Sequence, residues 1–394
     1  MVTELQQALL HVDRKTEETL IKYRRELHAR PELSFDEQQT ANYVADELER
    51  LPVEDLKTRV GGHGVIADVK GTLPGRSVLV RADMDGLPLM EASDVPFRSK
   101  NPGVMHACGH DVHMAIALKL AGALAVNRDR LPGRVRFAFQ PAEERAGGAK
   151  PMIDAGVLEG VDRVIGLHVW SELPVGQVSI RSDAVMASAD LFTLTISGKS
   201  GHGARPHLTV DAVTIAAQVI GALQTLVSRE TAATAPVVLT IGSIHGGTAG
   251  NIVAGEVVLE GTLRTFDNVV RTRLLGRIPE LAEGIARSMR GRCEFRIDSE
   301  TIPVINNPAI AALVARAAAE ALGEQAVMQL EPLMVGEDFA YFLEARPGCF
   351  FLLGGAPQGP AAVHHTPEFR IDERCLAIGY RVMGAAVLAL LEPD

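Results

Sequence analysis

Apolar positions along the chain follow two different regimes. In the first, helical stretches alternate with short runs that are apolar on both faces. Residues 16–30 and 36–50 read as helices, the second opened by Ser34 or Asp36 as a cap. An apolar run follows at Gly64–Val69, then a strand at Ser77–Val80, then a helix from His110 through MAIALKLAGALAV. The strand Val135–Phe139 and another apolar run, Val164–Val169, come next. Doubly apolar strands separated by helices predict an α/β domain with a mostly parallel central sheet flanked by helices.

Between about Met186 and Pro303 the pattern changes. DLFTLTIS alternates as a half-buried strand, and DAVTIAAQVIGALQTLVSR reads as a long amphipathic helix. VVLTIGSI and EVVLEGTLRTF are two strands, VVRTRLLGRIPELAEGIARSM a helix and CEFRIDSE a strand. This βαββαβ order predicts a ferredoxin-like α+β unit. From Asn306 the first regime returns, with two Ala-rich helices flanking CFFLLGG. The expected organisation is a discontinuous catalytic domain over residues 1–185 and 304–394, interrupted by an inserted domain over 186–303.

Composition narrows the classes of function. The 394 residues are 47% hydrophobic and 22% charged, ordinary for a chain with two buried cores. The net charge of −10 and the lack of a basic tract argue against a nucleic-acid partner. No uninterrupted run of about 18 apolar residues is present, so no membrane span is expected. The stretch MVTELQQALLHVDRKTEETL is polar and lacks the apolar core of a secretory signal, which predicts a cytoplasmic protein. Cys108, Cys293, Cys349 and Cys375 are then expected to be free thiols. The last three read as small buried hydrophobes.

Cys108 stands apart because metal-type donors recur where strands end or loops begin, the usual place for functional groups in α/β sheets. They are Asp83 and Asp85 in RADMDGLP, Cys108 and His110 in HACGHD, Glu143 and Glu144 in QPAEE, His168 in GLHVW, and His364 and His365 in VHHTPEF. Singly, each has a plainer explanation: a lone His beside an apolar strand is more often a hydrogen-bonded core residue, and two Asp at i, i+2 often cap a turn. Together they are harder to dismiss. Cys-x-His sets a soft thiolate and an imidazole two residues apart in a Gly-containing loop, and Zn²⁺ and its neighbours accept S, N and O ligands together. Glu143 and Glu144, adjacent in what reads as an extended loop, are expected to diverge, one as ligand and the other as general base. HEXXH is absent, which excludes a helix-based zincin.

These blocks, with RRELHARPELSFDEQQTA, NPGVMHACGHDVHMA, GGAKPMIDAGVLEGVDRVIGLHVW, GKSGHGARPHLTVDAV, GNIVAGEVVLEGTLRTFD, GEDFAYF and HHTPEFRID, occur in an order that resembles a metallo-amidohydrolase family. That family includes aminoacylases, carboxypeptidase G and succinyl-diaminopimelate desuccinylase. The resemblance covers nearly the whole chain and is strongest to the branch of hippurate hydrolases, bacterial N-acyl-L-amino acid amidohydrolases and plant auxin-conjugate hydrolases. It implies hydrolysis of the amide bond of N-acyl amino acids, two divalent metal ions per subunit (Zn²⁺ or Mn²⁺, with Co²⁺ or Ni²⁺ also suited to the donors), and a homodimer or tetramer formed through the inserted lid domain.

Residue by residue, the resemblance implies Cys108, His110, Glu144, His168 and His365 as metal ligands, the last chosen over His364 by its H-x-P context. It implies Glu143 as the base that activates water and Asp85 as the carboxylate that orients a ligating imidazole. His202 in SGHGARPH matches an oxyanion donor that acts on a partner subunit's site, and Asn251 and Arg264 match groups that bind the substrate carboxylate. One departure stands out: Ile252-Val253-Ala254-Gly255 replaces a Val-Ile-Pro-Asp-like turn after Asn251, which predicts a looser aim for that residue. His28, His113, His207 and His245 are expected to be structural. Three other activities compete with this reading. They are a dipeptidase or carboxypeptidase with the same site, a carbamoyl amino acid hydrolase (disfavoured because Asp rather than Cys is expected there), and a non-catalytic binding protein (disfavoured by the complete ligand set with Glu143).

Overall fold

The computed structural model describes residues 2–359 and 363–393. Its backbone packing separates the chain into two compact units. One comprises Met1–Val185, Ile305–Glu331 and Asp338–Asp394, the other Met186–Val304 and Pro332–Glu337. In chain order the first unit contributes helices α1 (Val2–Leu10), α2 (Arg14–His28) and α3 (Gln38–Glu49), then strands β1 (Glu54–Val60), β2 (Gly64–Lys70) and β3 (Leu73–Asp83). It continues with α4 (His110–Val126), β4 (Pro132–Gln140), α5 (Ala149–Asp154), β5 (Arg163–Pro174) and β6 (Val178–Ser179). The second unit contributes β7 (Ala189–Ser197), α6 (Ala212–Ser228), β8 (Val237–Gly246), β9 (Glu256–Thr265), α7 (Asn268–Ser288) and β10 (Arg292–Thr301). The chain then returns to the first unit with α8 (Pro308–Leu322), β11 (Val327–Met328), α9 (Ala340–Ala345), β12 (Gly348–Ala356) and α10 (Arg374–Leu391).

In the first unit an eight-stranded sheet runs β1-β2-β4-β3-β5-β12-β6-β11. Its four central strands, β4, β3, β5 and β12, are mutually parallel, and antiparallel pairs enter towards the edges at β1–β2, β2–β4 and β12–β6. The central strands are buried on both faces because helices cover both, so they are apolar without alternation. Strand β1, EDLKTRV, carries no such signal, and its mostly polar side chains at the sheet edge explain why its pattern did not announce it. Helix α10 is long and apolar enough to match a membrane span in length and composition, yet 72% of it is buried inside the structure. It packs with Leu120, Phe351 and Leu353 in one continuous core.

The second unit has the strand order β8-β9-β7-β10, antiparallel throughout, with α6 and α7 on one face. That is the ferredoxin-like arrangement. Phe192, Leu194, Ile196, Leu223, Leu263 and Leu274 form its core. Asp211 caps α6 by accepting from Val213 and Thr214, and Asp267 caps α7 by accepting from Val269 and Val270. Pro332–Glu337, outside the 186–303 span expected of the insert, packs with this unit, where Leu333 O accepts from Ala187 N at 2.9 Å.

The cap of α3 differs from expectation. Its N-cap position is Glu37, which makes no side-chain capping bond. Instead Glu32 reaches in from seven and eight residues away and accepts from Gln39 N (3.2 Å), Thr40 N (2.7 Å) and Thr40 Oγ1 (2.9 Å). Ser34 is unavailable as a cap because its hydroxyl donates to Asp85 Oδ2 at 2.7 Å.

Phe351 lies on β12 with no exposed surface in the first unit's core. Phe351→Ala is expected to destabilise this unit by about 3–5 kcal/mol, as measured by the shift of its denaturant midpoint at unchanged slope.

Candidate metal centre and active site

The first unit brings Cys108, His110, Glu144, His168 and His365 together from four separate segments: the loop into α4, the turn after β4, strand β5 and the loop before α10. Cys108 Sγ lies 3.3 Å from His168 Nε2 and 3.3 Å from His365 Nε2. His365 Nε2 is also 3.3 Å from Glu144 Oε1, and His110 Nε2 is 3.9 Å from Glu143 Oε2 and from Glu144 Oε1. Among the overlapping groups whose ligand atoms lie within 4.8 Å of one another are Cys108–His110–His168, Cys108–Glu144–His365, His110–Glu143–Glu144 and Asp83–His110–His113. Cys108 is common to the first two.

Each donor is aimed by its backbone. Gly109, at φ 93°, ends the loop that carries Cys108 and starts α4, and a Cβ there would lie 2.3 Å from Val169 Cγ1. His110 is the first residue of α4, and its Nδ1–H donates to the Asp85 carbonyl at 2.9 Å, which turns Nε2 inward. His168 donates from Nδ1 to Val169 O at 2.7 Å, so its Nε2 faces Cys108. His365 adopts φ 61°, a left-handed conformation that a non-glycine residue holds only when its surroundings enforce it. Its neighbour His364 is committed elsewhere: Nε2 accepts from Ser171 N at 3.0 Å and the ring stacks on Trp170.

Glu143 and Glu144 do not sit in an extended loop. They form a 3₁₀ turn, Glu143–Arg145, bracketed by Ala142 (φ 53°) and Ala146 (φ 49°). Both carboxylates therefore face His110, and Glu144 alone also reaches His365. The Asp85 carboxylate holds this turn by accepting from Glu143 N (3.2 Å) and Glu144 N (3.0 Å), while its carbonyl orients His110. Glu37, a residue without an assigned part in the sequence reading, accepts from Ala142 N at 2.7 Å and Phe35 N at 3.0 Å through one oxygen. Burial, with Asp85 nearby, pushes its pKa up to about 7. Its place within the matched block RRELHARPELSFDEQQTA was the only signal.

The electrostatics of the cluster suit cations. His110 Nε2 and Glu144 Oε1 are buried with no hydrogen-bond partner, and both point into the gap between the donors. Burial and the Glu144 and Glu143 carboxylates hold the Cys108 thiol well above its usual pKa. A thiolate there requires a positive charge beside it. Burial opposes charge on His110, but Asp83 and Asp85 outweigh it and raise its pKa to about 10. The negative field that draws a proton to this ring also draws a divalent cation. Mixed S, N and O donors fit Zn²⁺ and its first-row neighbours.

Asp83, on the last residue of β3, is fully buried and accepts from His113 Nδ1 and Arg81 Nη1, each at 2.5 Å. It lies 3.7 Å from His110 Nε2.

His202, Asn251 and Arg264 belong to the second unit. His202 is exposed, and its Nδ1 accepts from Ala204 N at 3.0 Å, which leaves Nε2–H as an outward donor. The turn after Asn251 is held without Pro or Asp: Asn251 O accepts from Gly203 N at 2.8 Å, Ile252 N donates to Ala249 O at 3.1 Å, and Ile252 pairs with His202. Arg264, half-buried on β9, donates from Nη1 to Met334 O at 2.9 Å.

Residues 79–389 match the model of peptidase family M20/M25/M40. The N-acyl-L-amino acid amidohydrolase of Geobacillus stearothermophilus is 46% identical over 288 residues, covering 73% of this chain and 78% of the relative. Thermostable carboxypeptidase 2 of Saccharolobus solfataricus is 37% identical over 383 residues, 96% of each chain. Among solved structures, the Bacillus subtilis YXEP protein, a dinuclear metal binding peptidase from the M20 family, superposes with a TM-score of 0.84. It is 35% identical and the match covers 96% of this chain and 99% of that one.

Behind the centre, the residue after His110 anchors a buried ionic network. Asp111 Oδ2 accepts from Arg24 Nε (3.0 Å) and from His28 Nδ1 (2.9 Å), and His28 Nε2 faces Glu91 Oε1 at 3.2 Å. With a carboxylate at each ring nitrogen, His28 is doubly donating. Burial opposes that charge, but Asp111 and Glu91 overcome it and raise the His28 pKa above its usual 6.5. A raised folded-state pKa contributes stability that is complete below the unfolded value, about 6.5, and is lost as pH rises through the folded value. The stability difference between the wild type and His28→Gln is therefore expected to be largest near pH 6 and to shrink on titration towards pH 9. A denaturant series across that range measures it, and a constant difference excludes the imidazolium.

Proposed function

This chain belongs to peptidase family M20/M25/M40, and we propose that within it the protein is an amidohydrolase that cleaves N-acyl amino acids to a carboxylic acid and a free amino acid. The observation that carries the reading is the convergence of Cys108, His110, Glu144, His168 and His365 on shared positions beside Glu143. The N-acyl-L-amino acid amidohydrolase among the relatives supports this substrate class. A carboxypeptidase of similar likeness favours a second reading, a carboxypeptidase or dipeptidase with the same site. Four free buried cysteines suit a cytoplasmic setting.

Those five residues would hold two divalent cations, Zn²⁺ or Mn²⁺, whose chemistry there would be to polarise the scissile carbonyl and to lower the pKa of water from about 15.7 towards 7. Glu143 is buried to 9% exposure and faces the centre beside His110, so its carboxylate can take a proton from water where bulk solvent does not compete. The same oxygen then returns that proton to the leaving nitrogen, which departs as a neutral amine. Asp85 keeps the Glu143–Glu144 turn in place throughout, because both backbone amides are tied to its carboxylate.

The second unit would supply recognition. His202 Nε2–H is suited to donate to the oxyanion that develops on the substrate, delivered from the partner copy of a homodimer. The donors of Arg264 other than Nη1 are suited to a bidentate clamp on the amino acid's carboxylate, and Asn251 is a second candidate for that group. Such a clamp selects acyl amino acids over plain amides.

Glu143→Gln is expected to lower kcat on hippurate-like and N-acetyl substrates by roughly 10²–10⁴-fold, while metal content by elemental analysis stays near that of the wild type. Full turnover in this variant excludes Glu143 as the base. A panel comparing benzoyl- and acetyl-amino acids with dipeptides separates the two readings, since faster peptide cleavage across the panel favours the second.

A further inference from the structure

Strand β5 outruns its neighbour. The last ladder pair between β3 and β5 is Arg81↔Gly166, whereas β5 continues to Pro174. Beyond that pair β3 runs only two residues further, to Asp83, and is paired there with β4 rather than β5. Val169 is fully buried, so its polar backbone groups need partners other than β3. Two histidines provide them. Val169 N–H donates to His113 Nε2 at 2.9 Å, and Val169 O accepts from His168 Nδ1 at 2.7 Å.

These bonds determine where each proton sits. An amide N–H can only donate, so His113 Nε2 presents a lone pair and the ring proton is on Nδ1, directed at Asp83 Oδ1 2.5 Å away. A carbonyl can only accept, so His168 carries its proton on Nδ1 and presents the Nε2 lone pair 3.3 Å from Cys108 Sγ. Asp83 is in turn held by Arg81, which also donates to Gln140 Oε1 (2.9 Å) and Asp338 Oδ1 (3.0 Å). Asp338, from the GEDFAYF block that the proposed chemistry leaves unused, accepts from Gln140 Nε2 at 2.7 Å and from Ala149 N at 3.0 Å. The result is a buried relay, Arg81–Asp83–His113–Val169–His168, in which every donor meets an acceptor. The two imidazoles stand edge to face with centroids 4.8 Å apart, clipped to the same residue.

We infer that Asp83 and His113 are positioning residues that set the tautomer and the aim of His168 through the backbone of Val169. His113 cannot itself be a ligand, because both of its nitrogens are engaged. Its effect reaches the centre at one remove: without an acceptor for Val169 N–H, β5 shifts at Val169, and the carbonyl that orients His168 shifts with it. The inference rests on the reading of His168 as a metal ligand.

The test is a competition titration of the apoprotein with Zn²⁺ against a chromogenic chelator, repeated with Co²⁺ to record the thiolate-to-cobalt charge-transfer band. His168→Ala, as the control, should lose tight binding at one site. His113→Leu should weaken that same site by roughly 10–100-fold, the usual effect of removing a partner that orients a ligand, and should shift the cobalt band. His113→Gln, whose amide oxygen can still accept from Val169 N–H, should recover most of the affinity. Should His113→Leu not fold, Asp83→Asn takes its place and must weaken the same site. Wild-type affinity and an unshifted band in His113→Leu, or in Asp83→Asn where it substitutes, overturn the relay when His168→Ala is impaired. If His168→Ala also binds as the wild type does, the ligand assignment falls and the relay falls with it.

Discussion

A sulfur, a carboxylate and three imidazoles are held within a few ångströms of one another, with Cys108, His110 and His168 buried, Glu144 half-buried and His365 at the exposed side, and most features of the first unit can be traced to that arrangement. Left to themselves these groups repel or take up protons: the Cys108 thiol is forced up, His110 is drawn up by Asp83 and Asp85, and His168 is pushed down by burial and by His113 and His364. Two of the donor atoms, His110 Nε2 and Glu144 Oε1, find no hydrogen bond. A buried polar atom without a partner is costly, and cations held among these donors would offset that cost.

Keeping the donors in place requires backbone conformations that the chain would not choose locally. His365, Ala142 and Ala146 are left-handed without being glycine, and Gly109 leaves no room for a side chain against Val169. Such strain persists because surrounding bonds over-determine it. The Asp85 carboxylate and Glu37 tie down the Glu143 turn, and His365 N donates to Ala107 O at 2.9 Å, locking one ligand loop to another. The parallel sheet makes this possible by ending β3 and β4 side by side, at Asp83 and Gln140, where their following loops meet. Behind the centre, Arg24, His28, Glu91 and Asp111 pin α2, the loop after β3 and the start of α4 together. Rigidity there serves geometry at His110, one residue before Asp111.

The second unit is built by different means. Its core is apolar, with a buried ion pair of Arg271 and Asp190 (2.6 Å) beside Glu300, and its functional candidates sit on turns and a strand. Arg264 is held on the four-stranded sheet opposite Val238, and His202 on a separate two-stranded pairing with Ile252.

Much of this was determined by the sequence alone, because hydrophobic periodicity is a local property. The doubly apolar strands, the βαββαβ insert and the helix beginning at His110 all follow from residues a few positions apart. The donor residues were visible as types and in an order shared with a known family, with His365 preferred to His364 by its context. Only the tertiary structure decided matters that depend on residues distant in the chain. Glu32, not Ser34 or Asp36, caps α3, because Ser34 is drawn to Asp85. Glu143 and Glu144 share a face because a 3₁₀ turn, held from Asp85 and Glu37, replaces the extended loop. His113, which read as an ordinary core histidine, became a link to His168 only when β5 was seen to pass the end of β3. Hydrogen bonds between segments dozens of residues apart leave no periodic trace along the chain, so the partners of a buried polar group emerge only when the fold brings them together.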